Sequence, residues 1–298
     1  MTRLDLRRLG VWGHLDSLAA ADAVAYARRA EELGFGTLWV PETVGREPIA
    51  FLGVLAGATG SINLGTSIVN IWGRDAQAAR MAAMTLAEAS GGRFVLGLGV
   101  SHPHLAGKLR GHDYARPLSR MRDYLAAYRA AIYRGPTMDH APEPPVLLAA
   151  LRERMTDLAG TDADGALPYL VTPERVAWMR GRLDAASGGA PRMVAVTLPT
   201  VIGESGAARE AARAYLRPYL RTPTYQASWQ LQGFEPDDWA LPGSDRLVDA
   251  MVAVGSVELL RDRVAEMVAA GADHVAIIPL AADGTTEHLP TLEALARP

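Results

Sequence analysis

Short, almost wholly apolar segments alternate along this chain with longer segments in which apolar residues recur at helical spacing. Short apolar segments indicate strands buried on both faces, and a helix between successive strands indicates a parallel sheet. The predicted strands span residues 9–12, 37–40, 62–68, 94–98, 146–150, 165–167, 193–201 and 274–278. Eight strands that alternate with helices restrict the chain to an α/β fold whose helices cover the sheet.

Such a sheet is either open, as in dinucleotide-binding folds, or closed into a barrel. An open sheet of that kind carries its glycine fingerprint after the first strand. Here the nearest match, residues 97–102, follows the fourth strand and lacks the third glycine. A (β/α)₈ TIM barrel needs about 250 residues, and the chain has 298. We therefore predict one barrel domain, residues 1–298, whose chemistry lies at the carboxyl ends of the strands.

Residues 221–255 interrupt the alternation between the seventh strand and the last barrel helix. Prolines and glycines punctuate this segment, which is also rich in aromatic residues, namely Tyr225, Trp229, Phe234 and Trp239. Long insertions in compact domains often cover active sites. Two interpretations stay open, a packed surface insertion and a lid over the substrate.

Composition excludes several classes of function. The chain has no cysteine, which rules out disulfides and thiolate chemistry, and its net charge of −3 offers no basic surface for nucleic acid. Lys108 is the only lysine. No apolar run is long enough to cross a membrane, and residues 1–8 do not resemble a signal peptide. We expect a cytoplasmic protein that does not bind membranes.

Four segments at predicted strand ends resemble the coenzyme F420-dependent branch of the luciferase-like monooxygenase superfamily. They are residues 34–43 (GFGTLWVPET), 64–70 (LGTSIVN), 92–101 (GRFVLGLGVS) and 270–275 (AGADHV). The segments occur in the order of that family and span nearly the whole chain. The resemblance implies a (β/α)₈ barrel with a late insertion, a deazaflavin across the mouth of the barrel, a small-molecule substrate and a homodimer.

The resemblance also assigns roles to individual positions. Glu42 matches a carboxylate that contacts the deazaflavin ring, and the Ser67–Ile68 bond matches a cis peptide in a bulge beneath that ring. His102 lies where sugar-phosphate-oxidising relatives carry a catalytic glutamate, and a histidine there can exchange a proton near neutral pH. We predict His102 and Glu42 as catalytic. The predicted coenzyme contacts are Glu42, Thr66, Ser67, Ile68, Gly97, Gly99, Val100, Ser101, Ala149, Ala150, Leu151 and Arg152.

Charge along the chain suggests where the coenzyme's anionic groups bind. Small residues precede a predicted helix start near Leu151 and Arg152, and the free N–H groups of a helix N-terminus bind phosphate. Lys108, Arg110 and Arg116 follow the fourth strand and are candidates for the polyglutamate tail of the coenzyme. The alternative for all of these cations is a solvated surface.

Departures from the family pattern limit the substrate. Sugar-phosphate dehydrogenases of the family place a histidine beside the ring carboxylate, where this chain has Thr43, and they grip phosphate with lysines that this chain lacks. The predicted reaction is hydride transfer between F420 and a small alcohol, carbonyl compound or activated alkene.

Three other functions stay open. One is a flavin mononucleotide (FMN)-dependent monooxygenase on the same fold, and another is a barrel that binds F420 without turning it over. The third is a metal-dependent hydrolase that uses His102, His104 and His112, since paired histidines can ligate zinc. We predict no bound metal.

Overall fold

The chain folds into a closed barrel of eight parallel strands. The structure is a computed structural model that describes residues 4–136, 143–203, 206–281 and 285–296. The barrel strands, numbered β1 to β8, are Leu9–Trp12, Thr37–Val40, Asn63–Thr66, Phe94–Gly99, Val146–Leu148, Gly165–Ala166, Met193–Ile202 and His274–Leu280. Strand β8 pairs with β7 on one side and with β1 on the other, which closes the sheet on itself. The predicted (β/α)₈ barrel is confirmed.

Helices surround the barrel and connect its strands. Helices α1 to α6 follow the first six strands, and α7 to α12 follow from β7 to the end of the described chain. Their bounds, in order, are Ala20–Glu32, Pro48–Ala56, Ala76–Ala89, Pro117–Ala130, Glu153–Asp162, Pro173–Ala186, Gly206–Leu220, Pro223–Gln230, Pro236–Trp239, Asp245–Met251, Val257–Ala269 and Leu289–Ala296. Within the described ranges, no helix is both long and apolar enough to span a lipid bilayer.

Strand bounds differ from the sequence prediction mainly at carboxyl ends. The predicted strand 62–68 ends at Thr66, and after a two-residue interruption the chain pairs with β4 again through Val69–Asn70. In the sequence, Met121, Leu125, Tyr128 and Ile132 recur at helical spacing, which predicts a helix that extends to Ile132. Helix α4 ends at Ala130, and Ile132 is exposed.

The insertion is packed against the barrel through its own apolar cluster. Helices α8 to α10 lie within residues 221–255, and a short strand, Ala253–Gly255, extends the sheet beyond β7. Trp229 is fully buried, and its indole N–H donates to the carbonyl of Leu170 at 3.2 Å. The segment is therefore a packed insertion, and Thr224 and Tyr225 at the start of α8 reach the cavity described below.

A histidine fills the barrel interior near its amino-terminal end. The Nε1 of Trp39 donates to Nε2 of His274 at 2.9 Å, and Nδ1 of His274 lies 2.6 Å from the carbonyl oxygen of Arg7. Since an indole N–H only donates and a carbonyl only accepts, the ring carries its proton on Nδ1. A Cβ on Gly10 would lie 2.4 Å from the ring, so this position of β1 has no room for a side chain.

We predict that His274 makes the fold sensitive to acid. Burial lowers the pKa of His274 to about 4, whereas the unfolded chain binds that proton at about pH 6.5. Acid therefore favours the unfolded chain, and stability that is present above pH 6.5 falls by up to about 3 kcal/mol as pH drops towards 4. Urea unfolding at a series of pH values measures this loss.

The matched variant is His274→Gln, which keeps a donor and an acceptor but does not titrate. It should be less stable than the wild type at neutral pH, because its shape does not fit the same two partners. Its stability should fall less steeply between pH 6.5 and 4. An unchanged slope in the variant would assign the acid sensitivity to other groups.

Candidate active site

One cavity opens at the carboxyl ends of the barrel strands. Its volume is about 440 Å³, and its walls come from the ends of β1, β2, β4 and β5, from the bulge after β3, and from α7 and α8. Nine of the residues predicted from the sequence line it, namely Glu42, Ser67, Ile68, Val100, Ser101, His102, Ala149, Leu151 and Arg152. The tertiary structure thus brings together positions that are spread over 111 residues of the chain, from 42 to 152.

A backbone bulge forms one wall of the cavity. The Ser67–Ile68 peptide bond is cis, as the resemblance implied. Ser67 donates its N–H to the carbonyl of Val40 at 2.8 Å, and the carbonyl of Ile68 accepts from the N–H of Glu42 at 3.2 Å. The indole of Trp12 donates to the carbonyl of Ser67 at 3.1 Å. These bonds to two neighbouring strand ends hold Ile68 at the cavity wall.

Four predicted contact residues lie behind this wall. Thr66 is fully buried, and its hydroxyl bonds both the carbonyl and the N–H of Gly97 at 2.9 Å. A Cβ on Gly97 would lie 1.9 Å from the carbonyl oxygen of Thr66, and a Cβ on Gly99 would lie 2.5 Å from Ile68. Ala150 is buried as well. In this structure these residues pack neighbouring strands closely and do not line the cavity.

Glu42 is the centre of an ion-pair network. Its Oε2 accepts from the N–H of Asn70 at 2.7 Å and from Nη1 of Arg74 at 3.1 Å, and its Oε1 accepts from Nη2 of Arg74 at 3.3 Å and from Nη1 of Arg110 at 2.9 Å. The side chain is 6% exposed. Four hydrogen bonds fill the acceptor sites of a carboxylate. Arg110, which the sequence suggested as a contact for the polyglutamate tail of the coenzyme, thus points inwards and binds Glu42.

His102 follows β4 and faces the cavity beside two other rings. Its centroid lies 5.7 Å from the stacked ring of His104 and 5.5 Å from that of Tyr225. Its Nδ1 is buried and has no hydrogen-bond partner among the described residues. Burial, with a smaller effect of nearby His104, lowers the pKa of His102 to about 4. The lowered pKa favours a neutral ring in the free protein and argues against proton exchange near neutral pH, and the catalytic role of His102 stays a prediction.

The N-terminus of α5 also borders the cavity. Helix α5 begins at Glu153 after Arg152, whose side chain does not cap it. The carbonyl of Leu151 accepts from Nη2 of buried Arg175 at 2.7 Å, which fixes the chain just before the helix. The first N–H groups of an uncapped helix and its dipole favour an anion. Arg152 adds a positive charge at the same place.

Sequence reasoning named Tyr225 as part of a possible lid but missed the three other tyrosines that pack with it at the cavity. Tyr169, Tyr215, Tyr219 and Tyr225 pack with ring centroids 5.1 to 5.9 Å apart, and the hydroxyls of Tyr169 and Tyr215 share a hydrogen bond. Burial raises the pKa of Tyr225 well above its ordinary value. Tyr215 and Tyr219 are four residues apart on α7, so a helix face was the available signal.

The sequence also missed the side chains that the closed barrel brings to Glu42 and to the end of β1. Arg74 reaches Glu42 from the loop before α3, and His14 lines the cavity from the chain that follows β1. Among the residues that the structure describes, no three side chains of the types His, Cys, Asp and Glu group as ligands for one metal ion.

Comparisons with known proteins identify relatives that match nearly the whole chain. The model of the family described as luciferase-like monooxygenase matches residues 3–274. A Mycobacterium tuberculosis protein named as a coenzyme F420-dependent oxidoreductase is 27% identical, over 97% of each chain. Two solved structures match 97% of this chain and 97% of their own. One is an F420-dependent secondary alcohol dehydrogenase in complex with an F420-acetone adduct, with a TM-score of 0.78 and 15% identity. The other is a monooxygenase from Streptomyces bottropensis, with a TM-score of 0.70 and 18% identity.

We predict that Glu42→Gln destabilises the protein by about 2–3 kcal/mol. The change leaves Arg110 without this carboxylate and Arg74 with only the exposed Glu47, and breaking one side of a buried ion pair typically costs about 3–5 kcal/mol. Glu47→Gln is the matched control, because Glu47 pairs with the same Arg74 but is 49% exposed. Glu47→Gln should lower the free energy of unfolding by less than about 1 kcal/mol. Equal urea midpoints for the two variants would contradict this assignment.

Proposed function

The chain belongs to the luciferase-like monooxygenase family, and we propose that it is an F420-dependent oxidoreductase. The proposed substrates are small alcohols, carbonyl compounds and activated alkenes. The observation that carries the proposal is a single cavity that combines an apolar wall with an open helix N-terminus. The full-length similarity to an oxidoreductase named for F420 supports this coenzyme over other flavins.

The residues present fit a deazaflavin with an anionic tail. Ile68 and Val100 offer apolar surface to a flat ring, and Ala149 is small enough to leave space beside them. The first turn of α5 and Arg152 would hold the phosphate at the other end of the cavity. When bound, a deazaflavin supplies hydride transfer. Glu42 would help to anchor the ring end by fixing Arg110 and the backbone after β3.

His102 would act on the substrate as a neutral ring. A neutral imidazole can donate a hydrogen bond to a carbonyl or alkoxide oxygen without carrying a full charge into the cavity. The surrounding tyrosines would exclude water from this end, because the ring of Tyr225 lies beside His102 and packs edge-on against Tyr169. Exclusion of water strengthens such a hydrogen bond.

The cavity favours substrates that carry no phosphate. Among the described residues that line it, Arg152 is the only lysine or arginine, and we assign it to the coenzyme. The remaining wall on the insertion side is mostly aromatic, with tyrosine and threonine hydroxyls as its polar groups. An uncharged molecule with one oxygen function matches that lining.

An FMN-dependent monooxygenase is the second candidate, since a monooxygenase shares this fold over nearly the whole chain. The same apolar wall and helix N-terminus would accept an FMN ring and its phosphate. Oxygen consumption with reduced FMN distinguishes this reaction from hydride transfer.

We predict that F420 binds more tightly than FMN to the free protein and that nicotinamide coenzymes do not compete. Fluorescence quenching of F420 and FMN measures both affinities. Arg152→Gln should weaken F420 binding roughly tenfold, the loss of one charge-assisted hydrogen bond. Arg154→Gln, which changes an exposed arginine outside the cavity, is the control and should bind F420 like the wild type. Tighter binding of FMN would favour the monooxygenase.

We predict that His102→Asn lowers turnover by about 10²–10³, the range for loss of a hydrogen-bond donor to a developing oxyanion. Its affinity for F420 should stay within about threefold of the wild type. Turnover is measured with secondary alcohols and oxidised F420, and with ketones or enones and reduced F420. His104→Asn is the control, because His104 stacks on His102 but does not line the cavity. If His102→Asn keeps the turnover of the wild type, His102 does not have this role.

A further inference from the structure

A second histidine of the cavity is tied to a carboxylate through a hydroxyl. Nε2 of His14 lies 3.2 Å from Oγ1 of Thr43, and that hydroxyl donates to Oδ2 of Asp16 at 2.9 Å. Nε2 of His14 is also 3.5 Å from the same carboxylate oxygen. His14 and Thr43 both line the cavity, at the ends of β1 and β2.

These bonds fix which nitrogen of His14 carries the proton. The single hydrogen of the Thr43 hydroxyl is used by Asp16, so the hydroxyl oxygen can only accept from His14. Nε2 of His14 therefore carries the hydrogen, and Nδ1 keeps a free lone pair. Among the residues that the structure describes, no hydrogen bond to Nδ1 is found.

Neighbouring contacts hold this arrangement in place. The ring of His14 stacks on the indole of Trp12, with centroids 6.3 Å apart and planes inclined by 19°, and the same indole bonds the bulge at Ser67. The other oxygen of Asp16 accepts from the N–H of Arg46 at 3.1 Å. A Cβ on Gly45 would lie 2.3 Å from the Asp16 carboxylate, so the chain passes very close to it.

The other ionisable groups of the cavity are less suited to carry a proton. The acceptor sites of Glu42 are filled by two arginines and a backbone N–H. Burial holds His102 in its neutral form, with a pKa of about 4. Burial also raises the pKa of Tyr169 and Tyr215 well above the ordinary value for tyrosine. His14 is only half-buried, and its Nε2 lies 3.5 Å from a carboxylate oxygen of Asp16.

We propose that His14 is a catalytic residue that exchanges the substrate's proton through Nδ1, and that Asp16 and Thr43 position it. The proposal rests on the hydride-transfer function proposed above. In an alcohol oxidation, the carbinol C–H bond breaks and its electron pair leaves as hydride to the deazaflavin. The O–H bond breaks, its proton passes to Nδ1, and the C=O double bond forms. In the reverse reaction, Nδ1 returns the proton to the carbonyl oxygen.

The tautomer of His14 tests the first half of the proposal without coenzyme or substrate. Nitrogen-15 spectra of histidine-labelled protein at a pH where the ring is neutral distinguish a protonated Nε2 from a protonated Nδ1, and His14→Gln identifies the signal. The expected result is a proton on Nε2 in the wild type and a mixture of tautomers in Asp16→Asn. A proton on Nδ1 in the wild type would overturn the proposal.

Turnover of F420 with the best alcohol of the panel tests the second half. His14→Gln should lower turnover by about 10²–10⁴ with little change in F420 affinity. Added imidazole should restore part of the turnover of His14→Gly. If His14 had a purely structural role, added imidazole would not restore turnover. His112→Gln, outside this cavity, is the matched control and should behave like the wild type.

The two proposals fail in distinguishable ways. If F420 does not bind, the function proposed above is wrong. If F420 binds and turns over while His14→Gln keeps full turnover, the hydride-transfer function stands and the role of His14 is overturned. Thermal unfolding of each variant shows whether a lost activity reflects a lost fold.

Discussion

The pairing of β8 with both β1 and β7 is the constraint on which the rest of this protein depends. Seven consecutive residue pairs join β8 to β7, and three join it to β1. Once the sheet is closed, all eight strands end around one mouth, and no strand can shift its register without moving its neighbours. Residues far apart in the chain then become fixed partners, and the cavity takes its shape from them.

The bulge after β3 shows how this closure supports the site. It is bonded to Val40 at the end of β2, to Glu42 just after that strand, and to Trp12 at the end of β1. Glu42 in turn holds Arg74 and Arg110, which come from two different loops. Two connected networks of hydrogen bonds therefore meet at the cavity, one around Glu42 and one around His14. Each consists of groups that would be costly to bury alone.

Residue roles in this cavity follow from local environment more than from residue type. His102 and His274 are both held neutral by burial, but one faces the cavity and the other fills the barrel interior. His14 keeps a carboxylate partner and a free ring nitrogen. The three rings share one chemistry, and only their surroundings separate the proposed hydrogen-bond donor His102, the proposed proton carrier His14 and the packing residue His274.

The sequence by itself determined the barrel, its strand order and nine residues of the cavity wall. Strand and helix periodicities are local, and the ends of parallel strands must meet at one edge, so Ile68, Val100 and Leu151 could be placed from the alternation and the family resemblance. Only the tertiary structure decided that Thr66 and Gly97 face each other behind that wall. Arg110 is 68 residues from Glu42, and Thr43 is 27 residues from Asp16. Such pairs depend on the register of a closed sheet and on loop paths, and neither leaves a periodic signal in the sequence.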